Sequence, residues 1–206
     1  MSTLPIILQS SRFNLYSGAL LAVFFGIFAY AHFLIFLDTG KLSLLLVIIS
    51  EALTTAFFIF RSNPKTVSVI PSDWLVAIIG SFAPLFLRPA DYGVLPQAEI
   101  LIVLGTILQT AGLISLNRSF AIVAAKREIK TEWMYRIIRH PLYASYFLIF
   151  GGYILVHTTA MNLVLFLITM SFLCLRIFRE ERHLSLDPEY RSYMLKVRYR
   201  IIPYIF

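Results

Sequence analysis

Arginine, histidine and proline stand together just before a long apolar run, in the sequence Arg139-His140-Pro141-Leu142-Tyr143. Proline favours the first position of a helix, so a helix is predicted to begin at Pro141 with His140 near its N-cap. The first turn of a helix presents unpaired N–H groups and a partial positive charge, which suit a carboxylate or a phosphate. Arg139 would strengthen such a site, and Tyr143 could contact a heterocycle. The alternative is that these residues only face lipid headgroups.

A second charged cluster, residues 176–183, lies where the next apolar region ends. Arg176 and Glu180 are spaced i, i+4 and therefore share one helix face, whereas Glu181 lies about 100° round the helix from Glu180. Acidic residues at the edge of a membrane helix are costly unless they are paired or functional. One interpretation is a carboxylate that binds an ammonium group beside an arginine that holds an anionic substrate. The other is a helix end held by salt bridges.

The composition is that of a membrane protein. Of the 206 residues, 59% are hydrophobic and only 14% are charged, and the mean hydropathy is +0.79. These values are too apolar for an ordinary soluble domain and predict an all-α, polytopic transmembrane helical bundle. A large soluble α-protein with an apolar core is the alternative. The net charge of +7 follows the expected membrane topology, so no nucleic-acid partner is predicted.

Six apolar runs approach the ~20 residues that are needed to cross a bilayer core. They fall at about 14–37, 41–60, 73–87, 98–116, 142–157 and 160–176. The third run is the weakest because Pro84 interrupts it, so five spans are the alternative to six. The last two runs are separated only by residues 157–159 and predict a helical hairpin.

The lysine and arginine residues orient this bundle. With both termini inside, only Lys41 and Arg88 fall on the outer side, which leaves the other 16 of the 18 basic residues inside. The positive-inside rule therefore predicts a multi-pass protein with cytoplasmic N- and C-termini. Both charged clusters then lie on the cytoplasmic side, where together they could form a cofactor pocket.

Two polar segments lie outside the predicted spans. Residues 117–140 are too polar to span, so they are predicted to lie along the membrane interface, anchored by Phe120, Trp133 and Tyr135. In the tail, Asp187-Pro188 predicts a turn followed by a short helix. The apolar end, residues 201–206, is predicted to pack back on the protein or to enter lipid.

Other single residues are weaker candidates for function. Glu51 lies in the middle of the second span, where an ionisable group needs a partner or a water pocket. The glycines at 105, 112, 151 and 152 are interpreted as close-packing positions. The four histidines are scattered and the one cysteine is isolated in an apolar run, so no metal site is predicted.

Together, these features resemble the isoprenylcysteine carboxyl methyltransferase family and the related phospholipid methyltransferases. The resemblance covers roughly residues 100–206, and it rests on the motif at 139–143, the apolar hairpin, the second charged cluster and the tyrosine-rich tail. It implies N-terminal transmembrane helices over 1–95 and a methyltransferase-like core over 96–206.

The resemblance implies an enzyme that transfers a methyl group from S-adenosylmethionine to a lipophilic or prenylated acceptor, with membrane lipids as its surroundings. The residues implied to bind the cofactor are Arg127, Glu128, Ile129, Lys130, Tyr135, Arg139, His140, Pro141, Leu142, Tyr143 and Glu180. Arg176 would address the substrate and Glu181 would support the site, and these two are the predicted catalytic residues.

The acceptor and two rival functions remain as alternatives. A carboxylate acceptor would need no general base, whereas an amine would need one, for which Glu181 or His183 are the candidates; the lack of a dedicated base favours a carboxylate. The first rival is an NADPH-dependent reductase of the sterol reductase type, whose chain end resembles residues 199–206. The second is a non-catalytic membrane scaffold or small transporter, with Glu51 as part of a path.

Overall fold

The computed structural model describes residues 4–40, 42–88 and 90–205, so Lys41 and Phe206 lie outside the described residues. In the described part, the chain forms eight α-helices, several 3-10 turns and one two-stranded antiparallel ladder, which confirms the all-α prediction. The helices are α1 (Leu4–Gln9), α2 (Ser11–Thr39), α3 (Leu42–Phe60), α4 (Pro71–Phe82), α5 (Glu99–Leu116), α6 (Pro141–Val156), α7 (Ala160–Leu184) and α8 (Pro188–Lys196). The strands are β1 (Thr66–Val67) and β2 (Ala125–Lys126).

The helices pack in neighbouring pairs. Helix α2 lies along α3, α5 along α6 and α4 along α7, and α3 also packs on α5. Helices α6 and α7 form the predicted hairpin, in which Thr159 caps α7 by accepting a hydrogen bond from the backbone N–H of Asn162 at 3.0 Å. The two-residue strands join the loop after α3 to the segment after α5, so both segments lie at one end of the bundle.

Three of these helices are long and apolar enough to cross a membrane: Ser11–Asp38, Pro96–Ser119 and Ala160–Leu184. Two shorter apolar helices, Leu45–Phe60 and Pro141–Val156, accompany them. Helix α4 has 12 residues, a length of about 18 Å, and it is followed by a 3-10 turn that contains Pro84. The integral-membrane prediction is supported, whereas the count of six spans stays a prediction with α4 as its weakest member.

The polar segment 117–140 differs from the sequence expectation. It forms β2 and two 3-10 turns, and it is partly buried in the protein. Phe120 and Tyr135, two of the three predicted anchors, are buried, and only Trp133 is exposed. The aromatic rings that indicated an interfacial segment therefore serve mainly as core.

The C-terminal tail contains the predicted short helix, α8. Asp187 caps α8 by accepting a hydrogen bond from the backbone N–H of Glu189 at 2.8 Å, and Pro188 occupies the first turn. Beyond this helix, Ile201 is buried against the core while Tyr204 and Ile205 are exposed. The apolar end thus both packs back on the protein and offers an apolar surface.

Glu51 has a partner that sequence reasoning missed. The Nδ1 atom of His32, on α2, lies 2.8 Å from Oε2 of Glu51, on α3. His32 therefore supplies the Glu51 carboxylate with a polar partner between α2 and α3. Spacing along the chain could not reveal it, because the two residues meet only when the helices pack.

Small residues let α5 and α6 approach closely. A Cβ atom at Gly152 would lie 3.0 Å from the carbonyl oxygen of Ala98, and Gly105 and Gly112 are similarly crowded by the facing helix. The close-packing prediction is confirmed for these three glycines. It is wrong for Gly151, where an added Cβ would meet nothing within 4 Å.

A pair of substitutions tests this contact. Gly152→Ala forces a methyl group against backbone and should destabilise the protein by about 1–3 kcal/mol. Gly151→Ala adds the same methyl to open space and should be neutral or stabilising by up to about 1 kcal/mol, because alanine favours helix. Unfolding of the purified protein in mixed micelles measures both, and equal losses would contradict the packing described.

Candidate active site

A cavity opens where the start of α6, the end of α7, helix α8 and residues 116–130 meet. Its volume is about 850 Å³, including the space through which it opens to solvent. Its walls combine apolar, aromatic and charged side chains: Leu116, Ser119, Phe120, Ala121, Val123, Ala125, Lys126, Arg127, Glu128, Ile129, Lys130, Tyr135, Arg139, His140, Leu142, Tyr143, Tyr146, Arg176, Glu180, Leu184, Tyr190 and Tyr193.

The structure brings most of the predicted site residues together around this cavity. All of them lie on its walls except Pro141, which is buried as the first residue of α6, and Glu181, which lies behind the wall. The helix begins at Pro141 with His140 as its N-cap residue, as predicted. The roles assigned to these side chains stay predictions.

Glu180 and Arg176 form the wall contributed by α7. The hydroxyl of Tyr143 donates a hydrogen bond to Oε2 of Glu180 at 2.7 Å. The guanidinium of Arg176 lies 5.4 Å from the centre of the Tyr143 ring. It donates to the hydroxyl of Ser81 at 2.9 Å and to the carbonyl of Ala121 at 3.2 Å. Its Nε is buried and finds no partner among the described residues.

Glu181 belongs to a different network on the neighbouring face of α7. Its carboxylate lies 2.7 Å from Nε of Arg139, 3.1 Å from Nε2 of His140 and 2.8 Å from Nε of Arg200. The residue is only 4% exposed. Through these contacts, the Glu181 carboxylate holds the start of α6 and the tail against α7. Glu181 is not among the residues that line the cavity.

The tail closes the site through backbone as well as side chains. The N–H groups of Arg139 and His140 donate to the carbonyls of Tyr199 and Arg200 at 2.9 and 2.8 Å. Nη1 of Arg139 donates to the carbonyls of Val197 and Arg198, each at 2.7 Å. Residues 139–140 and 197–200 thus run side by side, and this pairing fixes the end of α8 over the cavity.

Three buried tyrosines give the cavity neutral walls. Tyr193 donates a hydrogen bond to the carbonyl of Tyr135 at 2.6 Å, and Tyr190 lies beside Tyr193. Burial raises the pKa of each of these phenols above its usual value. All three therefore stay protonated at neutral pH and offer aromatic faces without charge.

Two ion pairs hold the basic segment 126–130, which forms another wall of the cavity. Lys126 forms an ion pair with Asp187, and Lys130 forms one with the exposed Glu128 at 2.6 Å. Burial, and secondarily the guanidinium of Arg61, lower the pKa of Arg127 to about 10. Arg127 therefore still carries its charge at neutral pH.

Neither residue proposed as a base for an amine acceptor faces the cavity. Glu181 is engaged as described, and Nε2 of His183 lies 3.1 Å from the hydroxyl of Thr66, next to β1. Among the described residues, no group of three or more potential ligands could hold a metal ion.

Sequence reasoning missed several cavity residues. Tyr190 and Tyr193 were part of the tail motif but had no assigned role, and their i, i+3 spacing on a short helix would have placed them on one face. Tyr146 follows Tyr143 by the same spacing. The apolar wall around Phe120 and the position of Lys126 had no sequence signal, because residues 117–126 lack a helical period.

The fold and this cavity define a helical membrane protein with a polar ligand site at one end of its bundle. Residues 97–186 match the family model described as Phospholipid methyltransferase. The match agrees with the resemblance: residues 97–186 are similar to phospholipid methyltransferases, and this similarity supports a membrane methyltransferase. It supports neither the reductase nor the scaffold alternative. No curated protein matches the chain.

A substitution at Glu181 tests its role as an anchor. Glu181→Gln leaves the buried guanidinium of Arg139 without its counter-charge and should cost about 3–5 kcal/mol of stability. Glu180→Gln, the matched change one residue earlier, can keep the bond from Tyr143 and should cost less than about 1.5 kcal/mol. Unfolding in mixed micelles measures both; if Glu180→Gln is the more destabilising variant, the assignment is wrong.

Proposed function

We propose that the protein transfers the methyl group of S-adenosylmethionine to a lipophilic acceptor at the cytoplasmic end of the bundle. The observation that carries this proposal is the pairing, in one cavity, of the Glu180 carboxylate with aromatic walls and with the partly unpartnered guanidinium of Arg176. When bound, the cofactor supplies a methyl group that is already activated by its sulfonium.

The donor set of the cavity fits this cofactor. Glu180 offers a carboxylate for the ammonium group, while Lys126 and the first turn of α6 offer positive charge for the carboxylate. The neutral rings of Tyr135, Tyr190 and Tyr193 suit the heterocycle and the sulfonium. The cofactor would therefore be held by Glu180, the basic segment and the tyrosines.

Arg176 is the residue proposed to orient the acceptor. It lies one turn before Glu180, on the membrane side, and two of its nitrogen atoms are fixed by Ser81 and Ala121. A fixed guanidinium suits a carboxylate or a phosphate. Methyl transfer then depends on alignment of the two reactants and on exclusion of water from the cavity.

A carboxylate, such as that of a prenylated cysteine, is the proposed acceptor. It needs no general base, and the residues proposed as bases, Glu181 and His183, do not reach the cavity. The second candidate is the amine of a phospholipid, which the description of the matching family favours. In that case, Arg176 would hold the phosphate of the acceptor, and the amine would have to arrive already deprotonated.

Binding of S-adenosylhomocysteine tests the cofactor assignment. Glu180→Gln removes a charge-assisted bond worth about 1.5–3 kcal/mol and should weaken binding by roughly 10- to 100-fold. Glu189→Gln, the same change at an exposed position on α8, should bind like the parent protein. Isothermal titration in detergent measures this, and unchanged affinity in Glu180→Gln would remove Glu180 from the cofactor site.

The product and its pH dependence test the acceptor. A methyl ester is released as methanol by alkali, whereas an N-methyl group is stable. The rate of transfer to a carboxylate should be flat near neutral pH, while the rate of transfer to an amine should rise with pH as the ammonium group loses its proton.

Substitution of Arg176 tests its role in binding the acceptor. Arg176→Gln should lower kcat/KM by about tenfold or more, and Arg136→Gln, a change at an exposed position, should not. Equal effects of the two would exclude Arg176 from acceptor binding.

A further inference from the structure

A second cavity lies on the other side of the segment 121–127, at the open end of the α2–α3 hairpin. Its volume is about 490 Å³, including space open to the outside. Leu8, Phe13, Leu21 and Trp74 form an apolar part of its wall, and two arginines, Arg61 and Arg127, form the charged part.

The two arginines are held only by neutral groups. Nη2 of Arg61 donates to the carbonyl of Asn14 at 2.8 Å and to the hydroxyl of Ser17 at 2.6 Å. Nε of Arg127 donates to the carbonyl of Ser62 at 2.9 Å, and its Nη2 donates to Oδ1 of Asn14 at 3.0 Å. Within residues 4–40, 42–88 and 90–205, no carboxylate forms an ion pair with either guanidinium.

Both guanidinium groups also carry donors without acceptors. Arg127 is 6% exposed, and in the described structure its Nη1 and the Nε of Arg61 are buried with no hydrogen-bond partner. A buried charge is costly unless it is paired, and a buried unsatisfied N–H adds to that cost. An anion beside these two like charges would therefore be stabilising, and the described residues provide none.

The position of the cavity indicates the source of that anion. Arg61 follows the last residue of α3, and Asn14 lies in the first turn of α2, so the arginines sit at the shared end of these two apolar helices. If α2 crosses the bilayer, as its length and composition allow, this end lies at a membrane surface. Lipid phosphates lie at this depth. The guanidinium fork matches a phosphate group, and the apolar wall beside it suits the start of an acyl chain.

We propose that this cavity is a binding site for the phosphate group of an anionic membrane lipid, held between Arg61 and Arg127. A zwitterionic choline headgroup is disfavoured there, because its cation would face two guanidinium groups. Arg127 also lines the candidate active site, so the bound lipid would brace the wall that the two cavities share.

Lipid-dependent thermal stability of the full chain tests this site. Delipidated protein in a neutral detergent should gain Tm on addition of phosphatidylglycerol and much less with phosphatidylcholine. In Arg61→Gln, the concentration of phosphatidylglycerol needed for half of the shift should rise by about tenfold or more. In Arg12→Gln, which removes an exposed charge from the same end of α2, it should not change.

The Tm values of the lipid-free proteins provide a second test of the site. Arg61→Gln removes a half-buried charge that has no ion-pair partner among the described residues, so its Tm without lipid should equal or exceed that of the parent protein. A lower lipid-free Tm combined with an unchanged lipid shift would overturn the proposal and leave Arg61 a structural role. Loss of the shift in Arg12→Gln as well would also overturn it, because general surface charge would then explain the binding.

Two further arms complete the test. Inorganic phosphate that produces the same shift as phosphatidylglycerol would overturn the lipid assignment and leave a site for free phosphate. If Arg61→Gln does not fold, Arg61→Lys keeps the charge but loses the planar fork. It should then show a reduced lipid shift, and a full shift in that variant would contradict a role for the guanidinium.

Discussion

The candidate site depends on one buried carboxylate. Glu181 is 4% exposed, and it accepts bonds from Arg139, His140 and Arg200, which come from the start of α6 and from the tail. A buried charge is tolerated only while its partners stay in place. The carboxylate therefore fixes three chain segments that are far apart in sequence, and the walls of the cavity are built on these segments.

The rest of the site follows from that anchor. Arg139 also binds the carbonyls of residues 197 and 198, and this places α8 so that Tyr190 and Tyr193 face the start of α6. Because Glu181 lies about 100° from Glu180 on α7, the two adjacent carboxylates face different surroundings. One is enclosed by cations and holds the fold together, whereas the other faces the cavity and bonds only to the hydroxyl of Tyr143 in the described structure.

Sequence patterns predicted the parts of this arrangement that are local. The proline at 141 and the cap at Asp187 define helix starts, and the spacing of Arg176 and Glu180 puts both on the cavity side of α7. Contacts between helices could not be predicted in this way. The partner of Glu51 and the burial of Phe120 depend on which elements pack together, and hydropathy cannot distinguish a residue that faces lipid from one that faces protein.

The arginines that line the two cavities separate into two groups by their partners. Arg139 is buried and forms an ion pair with Glu181, so its positive charge is balanced within the protein. In contrast, Arg61, Arg127 and Arg176 bind neutral acceptors, and each keeps one buried nitrogen without a partner in the described structure. All three line cavities. Because a buried polar atom without a partner costs stability, these nitrogen atoms support the proposed sites for an anionic acceptor and for a lipid phosphate.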